Sequence, residues 1–433
     1  MIIKNGSAKN MVQLVQTALI RSGFLKAPAD GIYGEKTRQA VINFQTANSL
    51  VPDGIVGKNT FAALRPYLTG YTTHIIKKSD TLSKIASQYN TTVAAIENAN
   101  PSITYDNLQI GTRIIVPFLF RLTPTNIIYS SLLCELICEG LAARYPFLGL
   151  SSAGTSFDGR QLAVLKMGKG SKKVFINAAH HANEWITTPL TLKFVEEYAD
   201  AFVTAGVLGG QNGEYMYDSA TLFVMPMVNP DGVDLVTGAI DFESQNYQNA
   251  VMYANNYPQI SFPSGWKANI RGVDLNLNYP AMWERARQIK FAQGFTKPGP
   301  RDYVGLAPLS EPESRAVFRL TNNEMFDLTV SMHTQGEEIY WQFQNYAPPE
   351  SLMLGQQMAD VSGYTLASPA EESSYAGYKD WFLMTYSKPG YTVEAGLGKN
   401  PLPIEDFDRI YRQVLPIFTT ALAFEEPIKT DLV

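Results

Sequence analysis

The chain of 433 residues holds four histidines, and three of them follow apolar runs that stop abruptly. Val174-Phe175-Ile176-Asn177 leads into His180-His181-Ala182-Asn183-Glu184, and Leu328-Thr329-Val330-Ser331-Met332 leads into His333. Two further runs end the same way, Leu222-Phe223-Val224-Met225 before Asn229-Pro230-Asp231-Gly232 and Tyr391-Thr392-Val393 before Glu394. Zinc takes imidazole nitrogen and carboxylate oxygen, and a catalytic zinc keeps three protein ligands with a fourth position open. His181 and Glu184, three apart, supply two ligands from one turn, and His333 can supply the third; the three-residue step favours His181 over His180. Spacing alone leaves a catalytic zinc and a set of hydrogen-bonded structural histidines both open.

Such side chains act together only if the elements that carry them end at one place. After Pro117 and Pro124 the chain alternates short apolar strands with longer helical patterns, the mark of an α/β domain. In open α/β sheets ligands gather at the carboxyl ends of the strands, where all four polar sequences stand.

The first third reads differently. Asp30-Gly31-Ile32-Tyr33-Gly34 recurs as Asp53-Gly54-Ile55-Val56-Gly57, each a tight turn followed by Thr37 or Thr60 and a helical run. Val12, Val15, Gln16 and Leu19 show helix spacing up to Gly23, a C-cap candidate. Residues 71–117 give short β-like ends around two helical stretches, with Asp80 or Thr81 as an N-cap and His74 as a structural residue of the first strand. Residues 1–117 carry 12 Lys/Arg against 6 Asp/Glu, leaving 23 against 34 for the remainder. The overall charge of −5 argues against nucleic acid, while the basic front third points to an anionic partner or simply a solvated surface. Cys134 and Cys138, four apart, read as buried thiols. No run of about 18 uncharged apolar residues is present, so no membrane span is expected, and MIIKNGSAKN does not read as a secretory signal.

Three resemblances account for these segments. Residues 1–69, with their matched Asp-Gly turns, resemble the peptidoglycan-binding domain of bacterial wall hydrolases; residues 70–118 resemble LysM, which binds N-acetylglucosamine-containing glycans. His181-Ala-Asn-Glu184-Trp185, Asn229-Pro-Asp-Gly232, Asp274-Leu-Asn276, His333, Asp380-Trp381 and Glu394 resemble the M14 zinc carboxypeptidase family across residues 119–433. The implied fold class is multidomain: a small all-α three-helix module, a βααβ LysM module, and an α/β domain with a mixed sheet flanked by helices. The resemblance implies one zinc per chain on His181, Glu184 and His333, with hydroxide made available near neutral pH. It implies Glu394 as the acid–base. Its oxyanion arginine aligns best with Lys267, with Arg271 close enough to compete, and its mobile tyrosine falls near Tyr375 or Tyr378.

The departures from the family concern substrate. Family carboxypeptidases read Asn-Arg where this chain has Asn276-Leu277, and that arginine clamps the terminal carboxylate with its planar fork. Leucine cannot, and an unpaired carboxylate beside it would be costly to bury. Lys379 falls at the family's specificity-pocket position and offers a cation to an acidic group beyond the cut. The architecture resembles γ-D-glutamyl-L-diamino acid endopeptidases of spore-forming bacteria. That implies glycan strands and stem peptides of peptidoglycan as partners, cleavage of the D-Glu–diaminopimelate or D-Glu–lysine bond, and synthesis in the cytoplasm or forespore of a sporulating cell. C-terminal trimming and a non-catalytic wall-binding protein are the rival expectations.

Overall fold

The computed structural model describes residues 2–104, 106 and 108–424. They fall into two compact units, one within residues 2–150 with 237–239 and the other within residues 151–236 with 240–424.

The first unit opens with helices Lys9–Arg21, Glu35–Ala47 and Lys58–Thr69. A glutamine explains the internal repeat. Gln16 Nε2 donates to Asp30 Oδ1 (2.7 Å), Ile32 O (3.2 Å) and Thr37 Oγ1 (3.0 Å), while its Oε1 accepts from Gly31 N (2.8 Å). Gln45 makes the same four bonds to Asp53 (2.9 Å), Ile55 (2.9 Å), Thr60 (3.1 Å) and Gly54 (2.9 Å). Gly31 and Gly54 take φ of +77° and +72°, which costs glycine little. Each helix is thereby knotted to the turn that follows it. Gly23 stands just beyond the first helix at φ +81°.

Strands β1 (Tyr71–Ile75) and β2 (Arg113–Pro117) pair antiparallel around helices Leu82–Gln88 and Val93–Ala99, a βααβ order. Thr81 and Thr92 cap the helices through Lys84 N and Ala95 N. Asp80 instead accepts from His74 Nε2 (2.8 Å) and Lys77 N (2.7 Å), and His74 Nδ1 lies 3.1 Å from the Tyr89 hydroxyl. His74 is thus structural. Cys134 and Cys138 are buried thiols in helix Ser131–Arg144.

The second unit carries an eight-stranded mixed sheet. Its strands are β3 (Gly149–Thr155), β4 (Gln161–Met167), β5 (Lys172–Ala178), β8 (Ala220–Met225), β9 (Leu328–His333), β10 (Glu338–Tyr340), β11 (Thr365–Ala367) and β12 (Gly390–Glu394); β6 (Val207–Leu208) and β7 (Gln211–Asn212) form a separate ribbon. The sheet order is β11-β10-β12-β9-β5-β8-β4-β3. Its four central strands, β12-β9-β5-β8, are mutually parallel. Their apolar runs follow from burial on both faces, and β5, β8 and β9 are buried almost throughout. Helices Thr187–Val203, Tyr378–Tyr386 and Phe407–Ala423 pack against the sheet. Among the described residues no helix is long and apolar enough to cross a membrane.

Because those four strands are parallel and adjacent, their carboxyl ends share one edge. The register sets Glu394 beside His333 and Met332 beside Ala178, the last residue of β5. The four polar sequences therefore converge.

Candidate metal centre and active site

β5 breaks at Ala179 (φ +52°), and His181 enters a short 3-10 turn, Ala182–Glu184, ahead of helix Thr187–Val203. Thr187 fixes that break, accepting from Ala179 N (3.0 Å) and donating to Glu184 O (2.7 Å). Asn229 ties the neighbouring loops together, donating to His180 O and Ala268 O, both 3.0 Å.

The result is a tight donor set. His181 Nδ1 and His333 Nδ1 each lie 2.9 Å from an oxygen of Glu184 and 3.1 Å from each other. All three residues are buried, and one ligand atom from each falls within 4.8 Å of the others. His181 Nε2 sits 3.1 Å from Asp274 Oδ1, the carboxylate partner that orients a metal-bound imidazole. Burial opposes a charged His181, but Glu184 outweighs it and lifts that imidazole to about 9. The cluster draws positive charge to itself. Two Nδ1 atoms turned on one carboxylate, with the far side of one ring already held, fit a divalent cation of zinc's preferences.

His180 faces the other way. Its Nε2 meets the Tyr279 hydroxyl at 3.0 Å, and full burial, then the charges of His333 and His181, hold it well below the usual histidine range. It is a neutral core residue.

Lys267 Nζ lies 3.2 Å from Glu184 Oε1; burial disfavours its charge, yet Glu184 holds it above the ordinary lysine range. Burial first and the Glu184 carboxylate second push Glu394 up to about 8. Both line one cleft with His181, Asp274, Asn276, Leu277, Lys379 and Tyr340. Its volume is about 240 Å³. Lys379 Nζ donates to Gln342 O (2.7 Å) and lies 2.7 Å from Asp380 Oδ1 as an ion pair.

Three expected residues stand elsewhere. Arg271 lies over the Phe157 ring at 5.0 Å and 3.8 Å from Glu311, outside the cleft, because the tight turn at Gly272 (φ +73°) follows it directly. Tyr378 is fully buried, its hydroxyl 2.9 Å from Thr321 Oγ1. Tyr375 packs edge-on to Phe343 and engages Arg285. The tyrosine that lines the cleft is Tyr340, carried by β10, an edge-side strand whose short polar run gives no signal in the sequence. Lys290, Arg301 and Asp302 also line it and were not visible as site residues.

Three segments distant in sequence meet around Asn269, two residues beyond Lys267. Asn269 Nδ2 donates to Glu311 (2.8 Å) and Glu313 (3.2 Å), Phe157 N donates to Glu313 (2.9 Å), and Asp231 accepts from Ser156 Oγ (2.8 Å), Asp158 N (2.9 Å) and Arg160. Burial, then Asp231, raises Glu313 to about 7. A folded value above the unfolded 4.5 means that the fold prefers the protonated acid. That stabilisation is present at low pH and is lost as pH rises through 7. Between pH 5 and 8 the unfolding free energy of wild type falls by about 2 kcal/mol relative to Glu313→Gln, which does not titrate. Urea unfolding followed by tryptophan fluorescence checks this, since all five tryptophans lie beyond residue 150; an unchanged gap between the two proteins refutes it.

Comparison with known proteins agrees with this arrangement. The zinc carboxypeptidase family model matches residues 135–413, a peptidoglycan binding domain 9–64 and a LysM domain 74–117. The chain is 41% identical over 297 residues to gamma-D-glutamyl-L-diamino acid endopeptidase 1 of Lysinibacillus sphaericus, covering 69% of this chain and 72% of that protein. It is 38% identical over 301 residues to an uncharacterized protein of Bacillus subtilis, covering 69% and 78%. Carboxypeptidase A from Helicoverpa armigera superposes with a TM-score of 0.51 at 17% identity (98% of this chain, 97% of that one), and thrombin activatable fibrinolysis inhibitor with 0.53 at 16% (82% and 98%), a likeness of fold. With its family match over most of the sequence, its mixed sheet and its histidine–glutamate–histidine centre, the chain belongs to the zinc carboxypeptidase family, M14, behind a peptidoglycan-binding and a LysM domain.

Proposed function

We propose that this protein is a zinc metallopeptidase hydrolysing the γ-D-glutamyl–diamino acid bond of peptidoglycan stem peptides. The observation that carries the reading is Leu277: the cleft keeps the metal donors and Glu394 but presents an apolar side chain where a carboxypeptidase clamps a terminal carboxylate. The 41% identity to an enzyme named for this bond supports it.

His181, Glu184 and His333 would hold one zinc, which when bound supplies Lewis acidity to water and to the scissile carbonyl. Glu394 takes the water's proton and returns it to the departing amine. Lys267 brings a cation to the oxyanion. Lys379, which lines the cleft, offers its ammonium to the far carboxylate of a diaminopimelate residue. The domains at residues 1–69 and 70–118 tether the 119–433 domain to wall glycan, raising the local concentration of stem peptides. Synthesis in a sporulating cell is part of this reading and is supported by the resemblance alone. C-terminal trimming would need a clamp other than position 277, and Arg271, the one the sequence offers, lies outside the cleft.

Digestion of defined muropeptides, followed by mass spectrometry, tests the reading. Cleavage after D-Glu, its loss on chelation and return with zinc, and faster cutting of diaminopimelate than lysine stems are expected. Release of the C-terminal residue alone overturns the bond assignment, and equal rates on the two stems remove the role of Lys379.

A further inference from the structure

The cleft lacks an arginine at position 277 but holds another. Arg301 lines it with Lys267, Asp274 and Glu394. Its side chain is 43% exposed, and its Nε pairs with Asp302. Neither terminal nitrogen has a hydrogen-bond partner among the described residues. Asp302 is already neutralised from the inside by buried Lys290, whose Nζ lies 2.7 Å away. Two cations thus share one carboxylate, and the guanidinium charge is left for an anion from the cleft.

The segment bearing Arg301 is fastened to the active-site loop. Pro300 O accepts from Lys267 N (2.7 Å) and Ala268 N (3.0 Å), Asp302 N donates to Asp274 Oδ2 (3.2 Å), and Asp274 N donates to Tyr303 O (2.8 Å). Asp302 adopts φ +65°, a conformation that non-glycine residues rarely keep without such ties. Asp274 in turn holds His181 Nε2. The backbone that carries Arg301 therefore has a fixed place relative to the metal centre, and its side chain lines the cleft.

We propose that Arg301 is the carboxylate receptor of this cleft, gripping a substrate carboxylate adjacent to the scissile bond from a loop other than the one at position 277. This rests on the bond assignment proposed above. A γ-D-glutamyl–diamino acid unit offers that carboxylate on either side, as the free α-carboxylate of D-Glu or, where the diamino acid ends the stem, as its α-carboxylate, and the chemistry is the same.

Three peptides distinguish the sources: the free D-Glu–diaminopimelate peptide, its D-Glu α-amide, and its diaminopimelate α-amide. Arg301→Gln lowers kcat/KM on the free peptide by about 30- to 100-fold, the scale of a charge-assisted fork. It leaves the rate unchanged on the one amide that has lost the gripped carboxylate, and wild type cuts that amide as slowly as the variant cuts the free peptide. Arg301→Lys, charged but without the fork, falls between them. Equal losses on all three peptides, or none on any, overturn the proposal while leaving the bond assignment intact. Wild type inactive on all three overturns both. Zinc content and Tm equal to wild type show that Arg301→Gln is folded.

Discussion

Glu394→Gln keeps the zinc content, melts no lower than wild type and lowers kcat/KM on a stem peptide by about 10³-fold, the range lost with a positioned acid–base group. Gln keeps the size and shape of the side chain and removes only the capacity to carry a proton. Glu394 closes β12 in register with His333, so its distance from the metal donors is set by a strand pair and not by a loop. It is buried between the charges of Glu184 and Lys267. The amide relieves the burial of a charge beside Glu184 in either role, so turnover is what separates them: a merely structural carboxylate would be replaced with activity spared. The measurement is steady-state kinetics together with zinc analysis and a thermal melt. Activity within tenfold of wild type removes Glu394 from the chemistry.

How much of this was legible beforehand depends on the kind of signal. The four strand ends were readable because double-sided burial writes continuous apolar runs, and parallel pairing then brings their polar termini to one edge. The paired turns were readable because a positive φ demands glycine, although the glutamines that tie them, Gln16 and Gln45, needed coordinates. Arg271 and Tyr378 misled for one reason. Sequence distance from Lys267 or Asp380 does not reveal direction, and a turn at Gly272 and a helix start at Tyr378 each rotate the side chain away from the cleft. Tyr340 and Arg301 were invisible because they lie outside any apolar run, on a short strand and on an irregular segment held by backbone bonds to Pro300 and Asp274. Surface loops carry such residues without periodicity.

His333→Ala abolishes zinc binding at equimolar metal and brings activity to background, whereas His180→Ala keeps the metal. The two rings lie close, stacked at 5.9 Å, and only the direction of their nitrogens separates them. His333 Nδ1 faces Glu184, while His180 Nε2 faces Tyr279. Removing His333 leaves His181 and Glu184, two donors from one turn, and Lys267 at 3.2 Å is then free to pair with Glu184 and occupy the place of a cation. A centre of two protein donors with an ammonium beside it does not compete for zinc against a third-ligand site. Binding to the folded state also stabilises it, by about 4 kcal/mol when free zinc is 1,000 times its Kd. Wild type and His180→Ala therefore gain Tm on adding zinc after chelation, though His180→Ala melts lower throughout from its lost core packing. His333→Ala gains none. Metal analysis after gel filtration and paired melts with and without zinc decide it. Full zinc occupancy in His333→Ala, or its loss in His180→Ala, would mean that the ion sits on a different set of atoms, and the roles given to Glu394, Lys267 and Arg301 around it would lose their common reference point.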